Sequence, residues 1–415
     1  MRQLKAEASR SDDSVSSQAV DRQIHAQVRT QILAGHRLDG RGASDIRPLA
    51  CQVNPLPGCH GSAIFERGGT QVLASLILGG AREAQDIETL NGNQRRRFIL
   101  HYAFPGYSVG ANRRGAAGPG RREIGHGHLA RRAIEGALPT AKDFPFTTRI
   151  TADVLESDGS SSMATVCASS LALAMAGLPM KGLCAGIAMG VIIEGDTHHL
   201  LTDISGEEDF FGDMDFKIAG TRMGVTAIQL DTKRTAIPLN ILSEALEQGS
   251  VSRTHILSTM NRSLEQWRSR DNTSSESFAL FKVDTGRVGH VIGSGGKHLQ
   301  KIQSTTQARV EVTREGHVLI TGRDKAAVDA ARRHVLGKST TLKDGEIYEA
   351  KVKSKKEYGI FVSVGEQDAL VHTSELSRLE VADYTIGADI RVKVLGTDDR
   401  GRIKLSERAA TPGSD

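Results

Sequence analysis

Between Arg268 and Ser277 the chain has no apolar residue: Arg-Ser-Arg-Asp-Asn-Thr-Ser-Ser-Glu-Ser separates two hydrophobically patterned stretches. A run of this composition buries nothing and behaves as a linker, so no single core extends across it. The 415 residues must therefore divide into a large unit before the break and smaller ones after it. A second break near Gly337 to Lys343 splits the remainder. The expected order is a lead-in over 1–37, a mixed unit over 38–267, the linker 268–277, and two small units over 278–337 and 341–409.

Composition narrows the function classes. With 39% hydrophobic and 25% charged residues the chain reads as a soluble globular protein. The longest apolar stretches, Leu171 to Leu178 and Ala185 to Ile193, are too short to span a bilayer, so no membrane role is expected. A net charge of +4 neither demands nor excludes nucleic acid, and local clusters must decide. Cys51, Cys59, Cys167 and Cys184 lack CxxC spacing and sit among apolar neighbours, which reads as reduced core thiols, not zinc ligands or disulfides. The Ser-rich start, with Glu7, Asp12 and Asp13 and no apolar core, is neither signal nor transit peptide and reads as a disordered lead-in.

Apolar spacing of four at Val20, Ile24, Val28 and Ile32 predicts an amphipathic helix ending at Gly35. Strand patterns over Gln71 to Leu78 and Arg149 to Leu155 alternate with helical ones over Ser162 to Ala176 and Pro238 to Leu264, giving an α+β domain.

The chemistry concentrates in three places. From Gly206 to Lys217, Glu207, Glu208, Asp209, Asp213 and Asp215 crowd together, and period two places Asp213, Asp215 and Lys217 on one strand face with Met214, Phe216 and Ile218 on the other. Like charges this close repel, so the pattern favours a metal or acid site over a solvated turn. Glu156-Ser157-Asp158-Gly159-Ser160-Ser161-Ser162 follows a strand and opens an apolar helix, which is either an anion site on free helix N–H groups or an ordinary Ser cap. A basic loop from Asn112-Arg113-Arg114 through Arg121-Arg122-Glu123-Ile124-Gly125-His126-Gly127, ahead of a helix starting near Leu129, offers guanidinium forks to a polyanion. Arg95-Arg96-Arg97 is a further basic triplet, read equally as a solvated run.

Both trailing units carry nucleic-acid signals. Gly293-Ser294-Gly295-Gly296-Lys297, between Val291-Ile292 and a helical pattern, is the GxxG arrangement with which a KH domain clamps a nucleic-acid backbone. In the last unit Lys351, Lys353 and Lys355 alternate along a strand ahead of Tyr358, Phe361 and His372, which suits base stacking on an OB-type barrel unless the aromatics are barrel core.

The series Gly40-Arg41-Gly42, His101-Tyr102, Ser108-Val109-Gly110, Arg121 to Gly127, Glu156 to Met163, Gly212 to Lys217, then KH and S1 modules, closely resembles the C-terminal half of the polynucleotide phosphorylase family. The resemblance implies an α+β, RNase PH-like core with ribosomal protein S5 domain 2-like βαβα layers, followed by a KH domain and an S1 OB-fold barrel. It implies a phosphate-dependent 3′-to-5′ exoribonuclease that releases nucleoside diphosphates, with inorganic phosphate as co-substrate and Mg²⁺ or Mn²⁺ as metal. On this resemblance Asp209, Asp215 and Lys217 are catalytic, Asp209 and Asp215 hold the metal, and Ser160, Ser161 and Ser162 hold phosphate. RNA falls to Arg121, Arg122, His126, Gly293, Ser294, Gly295, Gly296, Lys297, Tyr358, Phe361 and His372. The partners implied are single-stranded RNA 3′ ends, further cores in a homo-oligomeric ring or a separate first-half chain, and RNA-degradosome-type proteins. The implied compartment is a bacterial-type cytoplasm, or an organelle in a eukaryote. The family's first core and most of its helical domain have no counterpart in the sequence, so a catalytically incomplete RNA-binding or assembly subunit is the alternative expectation.

Overall fold

The computed structural model describes residues 17–111, 118–269, 278–339, 342–365, 367–377, 380–397 and 403–410. The chain forms two compact units, Met1–Ser275 and Glu276–Asp415. Most of the polar break and the Arg113-Arg114 pair lie outside the described residues.

The first unit holds a five-stranded sheet in the order β1 (Leu49–Val53), β2 (Gly61–Arg67), β3 (Thr70–Gly79), β7 (Thr147–Glu156), β6 (Phe98–Ala103), with a separate hairpin of β4 (Gln85–Thr89) and β5 (Gly92–Arg96). A four-stranded antiparallel sheet runs β11 (Gly224–Thr232), β10 (Met214–Thr221), β8 (Ala185–Glu194), β9 (Thr197–Thr202). Helix α3 (Ser161–Met175) packs on β2, β3 and β8 and is buried from Ser161 through Leu173. A helix apolar on every side has no stable place except between layers, which is why this one joins the two sheets.

The spacing-four stripe forms α1 (Ser17–Leu33) and docks Ile24, Val28 and Ile32 against Ile192, Leu201, Ile204 and Phe211. The basic segment expected as a loop is instead the first two turns of α2 (Arg121–Glu135). Glu123 accounts for the difference, because its carboxylate accepts the N–H of Gly120 at 2.7 Å and that of Phe104 at 3.0 Å, capping the helix early. The acidic stretch expected as strand and turn begins as a short helix, α4 (Gly206–Phe211), started by the Ser205 hydroxyl accepting from Glu208 N–H at 3.2 Å. Helix α5 (Leu239–Ser269) closes the unit against β1 and β8. Cys167 and Cys184 are core thiols as expected, whereas Cys51 and Cys59 are only half-buried. Burial pushes the thiols of Cys51 and Cys184 up to about 11 and that of Cys167 to about 12.

Under the sheets lies a buried ion network. Asp203 accepts from Arg47 Nε at 2.9 Å and Nη2 at 2.8 Å, and Arg67 Nε lies 3.0 Å away. Glu208 takes a fork from Arg37 at 2.7 and 2.6 Å, and Asp213 takes one from Arg29 at 3.1 and 2.9 Å. Two of the crowded carboxylates are thus neutralised by arginines from the N-terminal segment, which corrects the expectation that the whole cluster needs a metal or proton.

The second unit opens with a three-stranded sheet in the order β12 (Phe278–Lys282), β14 (His317–Thr321), β13 (Arg309–Val312). Three helices, α6 (Val288–Ile292), α7 (Lys297–Thr306) and α8 (Lys325–Ser339), share a core with it built on Val291, Ile302, Val318, Ile320 and Val335. A closed barrel follows, β15 (Ile347–Lys356), β16 (Gly359–Val364), β17 (Gln367–His372), β19 (Ile403–Ser406), β18 (Asp389–Thr397), filled by Val352, Ile360, Val362, Val371, Val392 and Leu405. The fold class is therefore that expected, α+β followed by a five-stranded barrel. Among the described residues no helix is long and apolar enough to cross a membrane.

Burial alone would raise the Asp203 carboxyl, but the Arg67 charge and the Arg47 hydrogen bonds reverse that and hold it down at about 2. A depressed carboxylate stabilises the fold above its unfolded value near 3.8, and the contribution is lost as pH falls toward about 2. Asp203→Asn, which strands two buried guanidinium groups, is expected to cost about 3–5 kcal/mol in urea unfolding at pH 7. The deficit should shrink as the pH of the unfolding series is lowered through that window; equal unfolding midpoints at pH 7 would rule out the network's structural role.

Candidate active site

Asp215 and Lys217 are two apart on β10, so their side chains share a face, and Lys217 Nζ lies 2.6 Å from Asp215 Oδ2. Both are buried, and Asp215 Oδ1 is buried without a hydrogen-bond partner. Burial pushes the Asp215 carboxyl upward, Lys217 opposes the rise, and Asp209 and Asp231 add to it. Asp231 faces Asp215 across the β10–β11 ladder, whereas Asp209 comes from α4. An uncommitted buried carboxylate oxygen beside a second carboxylate is the donor set a hard divalent cation prefers. Asp213, expected on the same face, is committed to Arg29 and to the N–H of Ile193 at 2.8 Å.

The serine run lies on the turn from β7 into α3. Gly159 has φ +86° and Ser160 φ +54°, so the chain reverses sharply before the helix begins at Ser161. A Cβ on Gly159 would stand 2.6 Å from the N of Gly206, so only glycine lets this turn lie against the start of α4. Thr70 ties the turn down, donating to Gly159 O at 2.9 Å and accepting from Asp158 N–H at 2.9 Å. Arg67 donates to Ser160 O at 3.1 Å, and Arg47 donates to Asp158 O. Ser160 makes no side-chain cap, so the ordinary capping reading fails. Ser161 Oγ lies 2.7 Å from Tyr102 Oη, and Ser162 Oγ is buried without a partner. The first N–H groups of α3 have no intrahelical acceptor, so the turn presents donors and the positive end of the helix dipole.

Helix α2 brings a third wall. Arg121 and Arg122 lie exposed in its first turn, while His126 is buried edge-on to Tyr102 with ring centroids 5.9 Å apart. Gly127 permits that contact, since a Cβ there would approach Tyr102 Cβ to 3.1 Å. Burial, then the Lys217 and Arg122 charges, drive the His126 imidazole down to about 3, so it is neutral at physiological pH. The mutual fields and contacts bring Asp209, Asp215, Lys217, His126, Arg122 and Ser161 together. Among the described residues no such contact is found for Arg121. Tyr102 entered the sequence reading only as part of the His101-Tyr102 motif, with no role assigned; burial pushes its phenol up to about 12, so it stays protonated and able to donate.

The remaining expected residues belong to the second unit. Gly293, Gly295 and Gly296 all have positive φ, at +74°, +61° and +77°, and Ser294, Gly295 and Lys297 are exposed at the mouth of α7. On the barrel, Tyr358 is exposed, Phe361 half-buried and His372 exposed, with the Tyr358 and Phe361 rings 6.4 Å apart. Neither aromatic belongs to the barrel core, which removes the packing alternative.

Residues 45–179 match the 3′ exoribonuclease family, domain 1, residues 279–337 match the KH domain and residues 341–408 match the S1 RNA binding domain. Over 93% of its length the chain is 43% identical to a polyribonucleotide nucleotidyltransferase of Magnetococcus marinus, covering 56% of that protein. It is 46% identical over 92% of its length to the one of Rhodospirillum centenum, covering 55% of it. A solved structure of rice Rrp46 superposes with a TM-score of 0.45 at 22% identity, over 55% of this chain and all of that one.

Two measurements check the geometry. Gly159→Ala should cost about 1–3 kcal/mol in thermal or urea unfolding, from positive φ and the clash with Gly206, and an unchanged midpoint would mean the turn is not pinned there. NMR titration should show His126 neutral at pH 5, and Lys217→Met should raise its pKa, because one of the charges suppressing the imidazolium is gone; an unmoved value would separate the two side chains.

The chain spans about half the length of the curated relatives it matches, and over that half it is similar to polyribonucleotide nucleotidyltransferases, with an RNase PH-type domain followed by KH and S1 domains.

Proposed function

We propose that the chain is a phosphate-dependent 3′-to-5′ exoribonuclease that releases nucleoside diphosphates from single-stranded RNA and, because the chemistry is near balance, polymerises them in reverse. The observation that carries this reading is the convergence of the Asp215–Lys217 pair with the unpartnered Ser162 hydroxyl and the N-terminus of α3. One half of that arrangement suits an anionic co-substrate and the other suits a cation.

In this reading inorganic phosphate rests on Ser160, Ser161 and Ser162 and on the free N–H groups of α3. The RNA 3′ end lies along Arg121 and Arg122, whose forks match phosphodiester oxygens. A phosphate oxygen attacks the terminal phosphorus, the bond to the preceding 3′ oxygen breaks, and the proton of hydrogen phosphate ends on that oxygen. The protein's part is positioning and charge stabilisation, as in phosphoryl transfer generally. Lys217 supplies a fixed cation, and neutral His126 is free to donate one hydrogen bond to a phosphate oxygen without adding charge. Asp215, through its unpartnered oxygen, and Asp209 would hold Mg²⁺ or Mn²⁺. Such an ion, when bound, neutralises charge on the transferred phosphoryl group.

The GxxG turn and the Tyr358, Phe361 and His372 surface act as the RNA grip in this reading, by backbone clamping and base stacking. Assembly with further cores, from copies of this chain or a separate chain, and action in the cytoplasm go with it. Exposed Met223, Val225, Ile228 and Leu230 on and beside the sheet-edge strand β11 support an assembly partner.

Incubation with poly(A), Mg²⁺ and phosphate should release ADP, and no ADP should appear without phosphate; AMP would mean hydrolysis instead. Asp215→Asn should lower turnover by about a thousandfold with RNA binding intact. A variant that turns over normally would remove Asp215 from the mechanism. Ser294→Asp with Lys297→Glu keeps all three loop glycines and should weaken oligo(A) binding, flattening the log K against log salt slope by about one per lost phosphate contact. An unchanged slope would deny the loop its role.

A further inference from the structure

Away from the active site, the first unit has a cavity of about 400 Å³ between the β4–β5 hairpin, β6, the C-terminal half of α2 and the loop before β7. Its charged rim is Arg95, Arg96, Arg97 and Arg131, against the single carboxylate of Glu135. Arg131 is paired to Glu135 at 2.7 Å, and Arg95 to Asp86 at 3.1 Å. Arg97 donates to the carbonyls of Ala141 at 3.3 Å and Pro145 at 3.5 Å, so it braces the wall. Arg96 is half-buried, and among the described residues no carboxylate pairs with it. The field there is positive enough to act on a neighbour: after burial, Arg131, Arg132 and Arg96 each push the His128 imidazole downward.

Ile87, Phe98, Leu138, Pro139, Phe144 and Phe146 supply an apolar part of the lining, and Gln94 and Thr148 add two neutral polar side chains. Phe144 and Phe146 meet edge to face, with centroids 5.6 Å apart. Inorganic phosphate needs neither an apolar wall nor this much room, since a cavity of about 300 Å³ or more already suits a small organic ligand. Guanidinium groups and aromatic side chains lining one cavity match a ligand with phosphate at one end and a flat ring system at the other.

We propose that this cavity binds a nucleotide, taking its phosphate on Arg96 and Arg131 and its base against the apolar part of the lining, at a site separate from the active site. The ligand is either a free nucleoside phosphate or one nucleotide of a bound RNA. Arg131 lies ten residues beyond Arg121 on α2, or about 15 Å along the helix axis. Occupancy at one end of α2 therefore bears on the same rigid element that carries Arg122 and His126.

The test is photolabelling of the full chain with 8-azido-ADP, with labelled peptides identified by mass spectrometry. Label is expected within 94–98 or 138–148, the cavity-lining stretches, and should fall about tenfold in Arg96→Gln and in Arg131→Gln. It should persist in Ser162→Ala, which keeps the outcome independent of the proposed phosphorolytic site. Protection by excess ADP and not by a twelve-residue oligo(A) would identify a free nucleotide, and protection by the oligonucleotide an RNA segment. Protection by inorganic phosphate alone at equal concentration, label found only outside these stretches, or label there unaffected by both arginine variants with unchanged melting behaviour would overturn the proposal.

Discussion

The first unit of this chain hangs on the pairing of buried guanidinium groups with Asp203, Glu208 and Asp213. Asp203 itself adopts φ +53°, a conformation that costs a non-glycine residue free energy and persists only where its surroundings over-determine it. Here they do: Arg47 and Arg67 grip its carboxylate from two strands of chain and, with their remaining donors, hold the carbonyls of Asp158 and Ser160. The same two side chains thus fix the end of β9 and the turn that opens α3. Arg37 does the equivalent for Glu208 and so for α4, while Arg29 anchors α1 to the residue preceding β10. Buried pairs contribute little net stability against an apolar alternative, but removing one partner is expensive, so such a network specifies geometry more than it stabilises.

This explains why two loops distant in sequence behave as one surface. Gly159 lies so close to Gly206 that no side chain fits between the two segments. Serines and carboxylates that would otherwise ride on separate turns are held in one frame, with donors for an anion on one side and oxygens for a cation on the other. For a reaction in which the protein contributes mainly position and charge, rigidity between those two halves matters more than any single side chain.

Much of this was legible from residue order. The four-residue stripe of α1, the strand–turn–helix at Gly159 and the GxxG turn all rest on local rules that one stretch of chain decides. The period-two reading of Asp215 and Lys217 held for the same reason, since two positions on a strand share a face whatever lies beside them. What could not be read was pairing over long separation. Glu208 and Asp213 looked like surplus negative charge because their arginines lie more than 170 residues earlier in the chain. The early start of α2 was hidden too: Glu123 caps it, but a run of arginines and glycines masks the capping signal. Tyr102 stood in the His101-Tyr102 motif without a role, which its contacts with Ser161 and His126 supply.

Lys217 then shows how one buried charge can set the state of a whole site. It pairs with Asp215 on one side, so the pair is neutral and tolerable away from water. On another side it adds, with Arg122, to the burial that keeps His126 uncharged. A protonated imidazole at that position would put further positive charge beside the ammonium group, and a deprotonated lysine would leave Asp215 facing Asp209 and Asp231 with nothing to offset them. Both alternatives raise the energy of the empty site, so one charge pattern dominates before any ligand arrives. Charge set in advance in a poorly solvated pocket need not reorganise when negative charge builds on a bound phosphate, and that is where electrostatic stabilisation is strongest.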